Sequence, residues 1–390
     1  MKPSAKPDRS AELRPSDLPG GPSRRTVGRA LETFGPVIAL ALLAGVTTAF
    51  NPRFLLPENV LNVLEDLSFR GIIALGMTFV IILGGIDLSV GSLVAFAGGL
   101  GIYLMNTAIN AATIREAVLR AQEAGLAAPY GAARVGLARL FEGLGMGGSE
   151  AWGVAAAFVV VPLAGLAAGL LNGVLIAKGR VAAFVATLGG LAAYRSLALA
   201  LADGGEFRSA SPELFKALGT GGIVLPYLTN RYGNPLVVRW PVLVFVVLAV
   251  AAHVALNRTR YGRYVYAIGC NERAAVYSAI AVDRIKMATY ALVGLLTGVA
   301  ALMNASRMNS VSSGQTGAMW ELDAIAAVVI GGTRMTGGAG QVWGTIVGLL
   351  ILGVIGNMLN LLQVSPYLQG LVKGFIIVAA VLLQRGRRPE

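Results

Sequence analysis

Cysteine and histidine are almost missing: Cys270 and His253 are the single examples in 390 residues. One thiol excludes an intrachain disulfide, and so few nitrogen and sulfur ligands argue against a protein-built zinc centre. Charge is scarce as well, at 13% of residues, where an ordinary soluble domain carries roughly 25%. A G-x-x-x-x-G-K-[ST] phosphate loop, a His-Glu-x-x-His zinc motif and a paired-aspartate set are all absent, so no nucleotide, metal or other cofactor is expected and catalysis by this chain is not. What fills the chain instead is apolar: 55% hydrophobic residues and a mean hydropathy of +0.69. A soluble exterior cannot be built from that composition. Helices packed in lipid can be, since each satisfies its own backbone hydrogen bonds, and the 51 glycines allow close helix approach where lipid supplies no hydrophobic drive.

The net charge of +12 would raise the question of nucleic acid in a soluble protein. Here Lys and Arg retained in loops on the cytoplasmic side account for it, and no nucleic-acid partner is expected. Residues 1–33 place bases among prolines and serines with little apolar surface, which predicts a disordered cytoplasmic tail; residues 385–390 form a second basic tail. Both termini inside demand an even number of spans, and the apolar runs between 34 and 384 give about ten, or about eight if the broken runs near 71 and 321 are not counted. The fold class is thus an all-α polytopic membrane protein.

Several segments interrupt the apolar pattern. Residues 103–150 carry balanced acids and bases and predict two amphipathic helices around a Gly125–Pro129 turn, with Glu116 and Arg120 one helical turn apart; the balance fits the side away from the cytoplasm. There the insert either touches an external partner or stands as a solvated hairpin. Residues 203–239 read as an outer loop. Gly84-Gly85-x-x-x-Ser89-x-Gly91 recurs as Gly331-Gly332-x-x-x-Thr336-x-Gly338, a hint of duplication of the kind transporters use.

The loop 258–286 has the largest basic excess of any internal loop, with Arg258, Arg260, Arg263, Arg273, Arg284 and Lys286 against Glu272 and Asp283, so it is cytoplasmic. Within it Asn271 can cap a short Ala-rich helix from Glu272 to Ile280, and Asp283 can cap the helix that follows. The loop either only sets topology or docks a partner.

YAIGCNERAAVYSAIAVDRIK in this loop resembles the coupling segment of the permease subunits of ribose/xylose/arabinose/galactoside-type ABC importers. GGIDLSVGS at 84–92, ELDAIAAVVIGGT at 321–333, GGAGQVWGT at 337–345 and NLLQVSPYLQGLVKG at 360–374 resemble further blocks of that family in order. The resemblance implies a duplicated, inverted-repeat type II ABC importer permease in the bacterial inner membrane. Its partners would be a second permease copy, a cytoplasmic ABC ATPase subunit, an external sugar-binding protein and membrane lipid. By position, Asn271, Glu272, Arg273, Ala274, Ala275 and Ser278 would dock the ATPase. Cys270 and Ala279 depart from the family, which commonly has Gly at both places.

The substrate-path candidates are Asp87, the one acid in its apolar run, and the amides Asn172, Asn304, Asn357 and Asn360. A carboxylate at mid-membrane costs roughly 2.5–3.5 kcal/mol unless paired or wet, so Asp87 either lines a path or caps the next helix. Glu321 and Asp323 suit a helix's first turn. The amides either hold helices together or hydrogen-bond a neutral, hydroxyl-rich solute. An autonomous secondary transporter or channel for a small polar solute is the competing class, and it would need coupling-ion carboxylates of which Asp87 is nearly the sole candidate.

Overall fold

The computed structural model describes residues 22–124, 131–211, 213–230, 233–365, 368–372, 374, 375 and 378. Its helices are α1 (Pro22–Phe50), α2 (Pro57–Ile82), α3 (Val90–Ile109), α4 (Ala111–Glu123), α5 (Gly131–Gly143), α6 (Glu150–Ala177) and α7 (Ala183–Leu201). There follow α8 (Leu214–Thr220), α9 (Trp240–Arg258), α10 (Arg260–Cys270), α11 (Glu272–Tyr277), α12 (Val282–Met308), α13 (Trp320–Ile330) and α14 (Val342–Leu361). Six of these, α3, α6, α7, α9, α12 and α14, are long and apolar enough to cross a membrane. The α2 helix has the length but bears Glu58, Glu65, Asp66 and Arg70 within its first fourteen residues. The apolar part of α1 is Gly35–Phe50, and the closing run 367–384 lies largely outside the described residues. The α1 helix starts at Pro22, ahead of the boundary at residue 33 that composition predicts.

The core is built on α2, α3 and α12. From Ile72 to Ile82 every α2 side chain is buried, as befits a helix that is apolar all round. A close seam joins α6 to α12, with Gly165 and Gly169 on α6 facing Gly294 and Gly298 on α12 and Gly173 facing Met287 and Tyr290. A β-carbon at Gly165 would stand 2.3 Å from the Gly294 carbonyl oxygen, and one at Gly169 2.2 Å from that of Tyr290. Such small-residue spacing lets two backbones touch in lipid.

Helices α2 and α13 end in the turn that also closes α5, α7, α11 and α14. At the end of α2, Gly85 N–H donates to Val80 O and Gly84 N–H to Ile81 O; at the end of α13, Thr333 N–H donates to Val328 O and Gly332 N–H to Val329 O. Gly84 and Gly332 both take the left-handed conformation, at φ +89° and +90°, which glycine adopts without steric penalty. Six helices share this terminus, so it marks a helix end rather than a repeat, and within it Gly84 corresponds to Gly332. The glycine pairs themselves are offset by one residue, which the sequence pattern alone did not reveal. The loop after Thr333 also meets the end of α2, for Gly338 N–H donates to Ile82 O at 2.8 Å, and the hydroxyls of Thr78 and Thr345 lie 2.8 Å apart.

At the opposite end of the bundle, Glu65 is 2% exposed and pairs with Arg239 at 3.1 Å and Arg307 at 2.7 Å. This triad ties α2 to the start of α9 and the end of α12. The segment read as a plain outer loop contains strands: β1 (Glu206–Arg208) pairs with β4 (Ser310–Ser312), and β2 (Gly222–Thr229) with β3 (Pro235–Arg239). The Val-, Leu- and Ile-rich β2 and β3 satisfy their backbone as a hairpin ribbon, whereas β1 and β4 pair across distant parts of the chain. On β1 the Glu206 carboxyl is held below the usual carboxylate range, first by a hydrogen bond from Ser310 and then by one from Arg208.

The charged insert forms the two expected helices, α4 and α5, tied by an Arg115–Glu142 pair at 2.9 Å and by Glu116–Arg120 within α4. Its first residues belong to α3 instead, and the expected turn at Gly125–Pro129 lies outside the described residues. The hydrogen bond from Gly148 N–H to Ala108 O brings the ends of the insert together.

Candidate functional site

The segment 258–286 sits on the end of the bundle where the loop after Thr333 meets the end of α2. Thr259 caps α10 through a hydrogen bond from Gly262 N–H, and α10 is then fastened at three points. Tyr261 stacks on Phe79 of α2 with centroids 5.9 Å apart, and its hydroxyl lies 2.8 Å from that of Thr289 on α12. Burial pushes the Tyr261 phenol up to about 12, so it stays neutral and able to donate. Tyr266 donates to Gly340 O at 2.6 Å. At Gly269 a β-carbon would stand 1.8 Å from Ile82 O, so glycine is required where α10 abuts the end of α2. Tyr266 and Gly269 lie in the segment that carries the family resemblance, but neither their partners nor Tyr261 were legible, because those partners lie far away in sequence.

Asn271 caps α11 as expected, accepting from Ala274 N–H at 3.0 Å. The helix is shorter than predicted and ends at Tyr277, and its terminus repeats the turn found at α2 and α13. Ile280 N–H donates to Ala275 O and Ala279 N–H to Val276 O, with Ala279 in the left-handed conformation at φ +58°. Ala275 packs inward while Tyr277 is 89% exposed and Val276 55% exposed. Glu272 and Lys286 pair at 2.8 Å and tie α11 to α12; Arg273 and Ser278 are exposed, and Ser278 Oγ donates back to Ala274 O. Asp283 does not cap α12. No side-chain cap bond forms there, and Asp283 instead pairs with Arg180 at 3.4 Å from the first turn, where the helix dipole also favours it.

The path candidates fall in three places. Asp87 and Asn172 come together through Ser89: Asp87 Oδ1 accepts from Ser89 N–H and Oγ–H at 2.9 and 2.6 Å, and Asn172 Nδ2 donates to Ser89 Oγ at 2.9 Å. All three are buried, in the turn that leads into α3. Asn357 and Asn360 lie at the other end of the bundle, around a cavity of about 270 Å³ that Asn62, Asp66, Arg70 and Asp323 also line. Asn357 exchanges two 3.0 Å hydrogen bonds with Asn59, and Asn360 accepts from Gln369. Arg70 bridges Asp66 and Asp323 there. Asn304 stands apart on α12, nearly buried. Glu321 and Asp323 occupy the first turn of α13 as expected.

A second cavity, of about 300 Å³, opens beside α11, between the Gly84-Gly85 turn, the α6–α7 connection and α12. Arg180, Glu272, Lys286 and Tyr290 line it. Among the described residues no cluster of His, Cys, Asp and Glu could hold a metal ion.

Comparison with known proteins extends over nearly the same residues. The profile of the family described as branched-chain amino acid transport system / permease component matches residues 59–381. The chain is 36% identical over 359 residues to the ribose import permease protein RbsC of Bacillus subtilis, covering 91% of this chain and 93% of that protein. It is 36% identical over 352 residues to RbsC of Escherichia coli K12, covering 90% and 93%. To the L-arabinose ABC transporter permease protein AraH of Azospirillum brasilense it is 32% identical over 387 residues, covering 98% and 95%. No solved structure matches the chain.

Proposed function

Because the chain belongs to the branched-chain amino acid transport system / permease component family, we propose that it is the membrane subunit of an ATP-driven importer that carries a monosaccharide. The ribose and arabinose permeases named above support that substrate class. The ATPase is a separate cytoplasmic chain, for no phosphate loop occurs here. A soluble sugar-binding protein delivers the solute from outside, and two permease copies enclose the path in the inner membrane. Both termini, and the end of the bundle carrying α10 and α11, face the cytoplasm.

The observation that carries the reading is the seat of α11. Asn271 to Ser278 present an exposed apolar tip, Val276 and Tyr277, on a short helix tied rigidly to the membrane helices. The Glu272–Lys286 pair reaches α12. Through α10, Tyr261, Tyr266 and Gly269 reach α12, the loop after Thr333 and the end of α2. A partner that moves α11 therefore moves helix ends, which is what coupling ATP closure to a path requires. Asp87 and Asn172 hold the α2–α3 turn at that same end, and Asn304, Asn357 and Asn360 are left as contacts for a neutral, hydroxylated solute along the path.

Reconstitution in proteoliposomes with the neighbouring ATPase and binding-protein gene products tests it. Monosaccharide uptake should require all three components and ATP. Uptake by this chain alone, driven by an ion gradient, would contradict the proposal and favour a secondary transporter.

A further inference from the structure

Tyr290 is among the largest fully buried side chains, and among the described residues its hydroxyl makes no hydrogen bond. A buried hydroxyl without a partner is penalised by the solvation it has lost, so its persistence needs a reason. Its surroundings supply one. The hydroxyl lies against Gly85, where any β-carbon would come within 2.4 Å of it, and Gly85 and Tyr290 both line the 300 Å³ cavity beside α11. The charges on that cavity's rim are already matched, Glu272 with Lys286 and Arg180 with Asp283. What remains to be satisfied is one neutral hydroxyl at the inner wall.

We propose that this cavity is a transient site for a neutral, hydroxyl-bearing solute at the coupling end of the path, with Tyr290 Oη as its hydrogen-bonding group. This rests on the importer reading above and extends it to a defined site. The solute hydroxyl pairs with Tyr290 while the matched rim charges attract no ion. Since Glu272 belongs to α11 and Lys286 to α12, movement of α11 changes the mouth of the site, so that release follows the ATPase cycle. Tyr290 is one residue beyond Thr289, which meets Tyr261 of α10, and the wall and the rim of the cavity thus shift together.

The test is Tyr290→Phe in the full complex in proteoliposomes, supplied with ribose, L-arabinose and a panel of other monosaccharides. Loss of one hydrogen bond to the solute should lower maximal uptake about three- to tenfold while the melting temperature stays equal or rises, because an unpaired buried hydroxyl has been removed. A second measurement reads occupancy directly. In a Cys270→Ser background, Ala182→Cys on the cavity rim should react more slowly with a thiol reagent when the transported sugar is present, and Tyr290→Phe should abolish that protection. Unchanged uptake with unchanged labelling would mean that only water occupies the cavity and would overturn the proposal. Failure of the wild-type complex to import any monosaccharide would instead overturn the importer reading, and this site with it.

Discussion

Replacing Gly169 by Ala tests whether the α6–α12 seam is set by backbone contact. The added carbon would stand 2.2 Å from Tyr290 O and 2.8 Å from Gly294 Cα, where ordinary contact begins at 3.4 Å. Both obstacles are backbone, so no rotamer change relieves them and the two helices must part by about 1 Å. Overpacking of this kind costs about 1–3 kcal/mol, against a helix-propensity gain of up to about 1 kcal/mol for removing a glycine. The expected net loss is about 1–2 kcal/mol. Gly189→Ala provides the opposite case, since Gly189 is exposed on α7 with nothing within 4 Å of the added carbon; it should be neutral or stabilising. Equilibrium unfolding of both variants in mild detergent, with a denaturing detergent as titrant, reads the difference. Equal shifts for the two alanines would refute the backbone-contact account of the seam.

Glu65→Gln leaves Arg239 and Arg307 facing each other without the carboxylate, and stability should fall by about 3 kcal/mol, the lower end for a broken buried pair because both arginines are partly exposed; a loss below about 1 kcal/mol in the same unfolding assay would speak against the triad. Ala279→Gly relieves a left-handed alanine and should stabilise by about 1 kcal/mol, with a raised melting temperature as the readout and a lowered one as the contrary result. Asp87→Asn keeps an acceptor oxygen for both Ser89 donors, so uptake should stay near wild type; a large loss in a folded variant would mean that the charge itself acts along the path.

What was legible in the sequence was local. The Asn271 cap, the first-turn acids of α13 and the paired charges of the insert each depend on residues within a turn or two of each other, and each has the structure that its spacing predicts. Six of the expected spanning helices followed from apolar length alone. Asp283 was misjudged because Arg180, a hundred residues earlier, offers a partner that no local pattern discloses. The glycine pattern was found but misaligned by one, since either glycine of the first pair could occupy the left-handed position and only the hydrogen bonds decide. Tyr261 and Tyr290 were invisible for the same reason, and Tyr266 and Gly269 were seen only as part of the segment that resembles the family, without their contacts. A tyrosine in an apolar helix reads as packing until the fold places its hydroxyl against a carbonyl, another hydroxyl or an empty cavity. The strands of the 203–239 segment went unread because proline and charge masked their short apolar stretches.

The central claim is that α11 is the mechanical link to a separate ATPase. Copurification of the chain with the products of its genomic neighbours, before and after substitution of Asn271–Ser278 by a Gly-Ser segment, measures it most directly. The account predicts that a phosphate-loop ATPase copurifies with the wild type and is lost from the variant, while the variant's membrane helices keep their melting temperature. Retention of the ATPase and of full ATP-driven uptake after that substitution would contradict it.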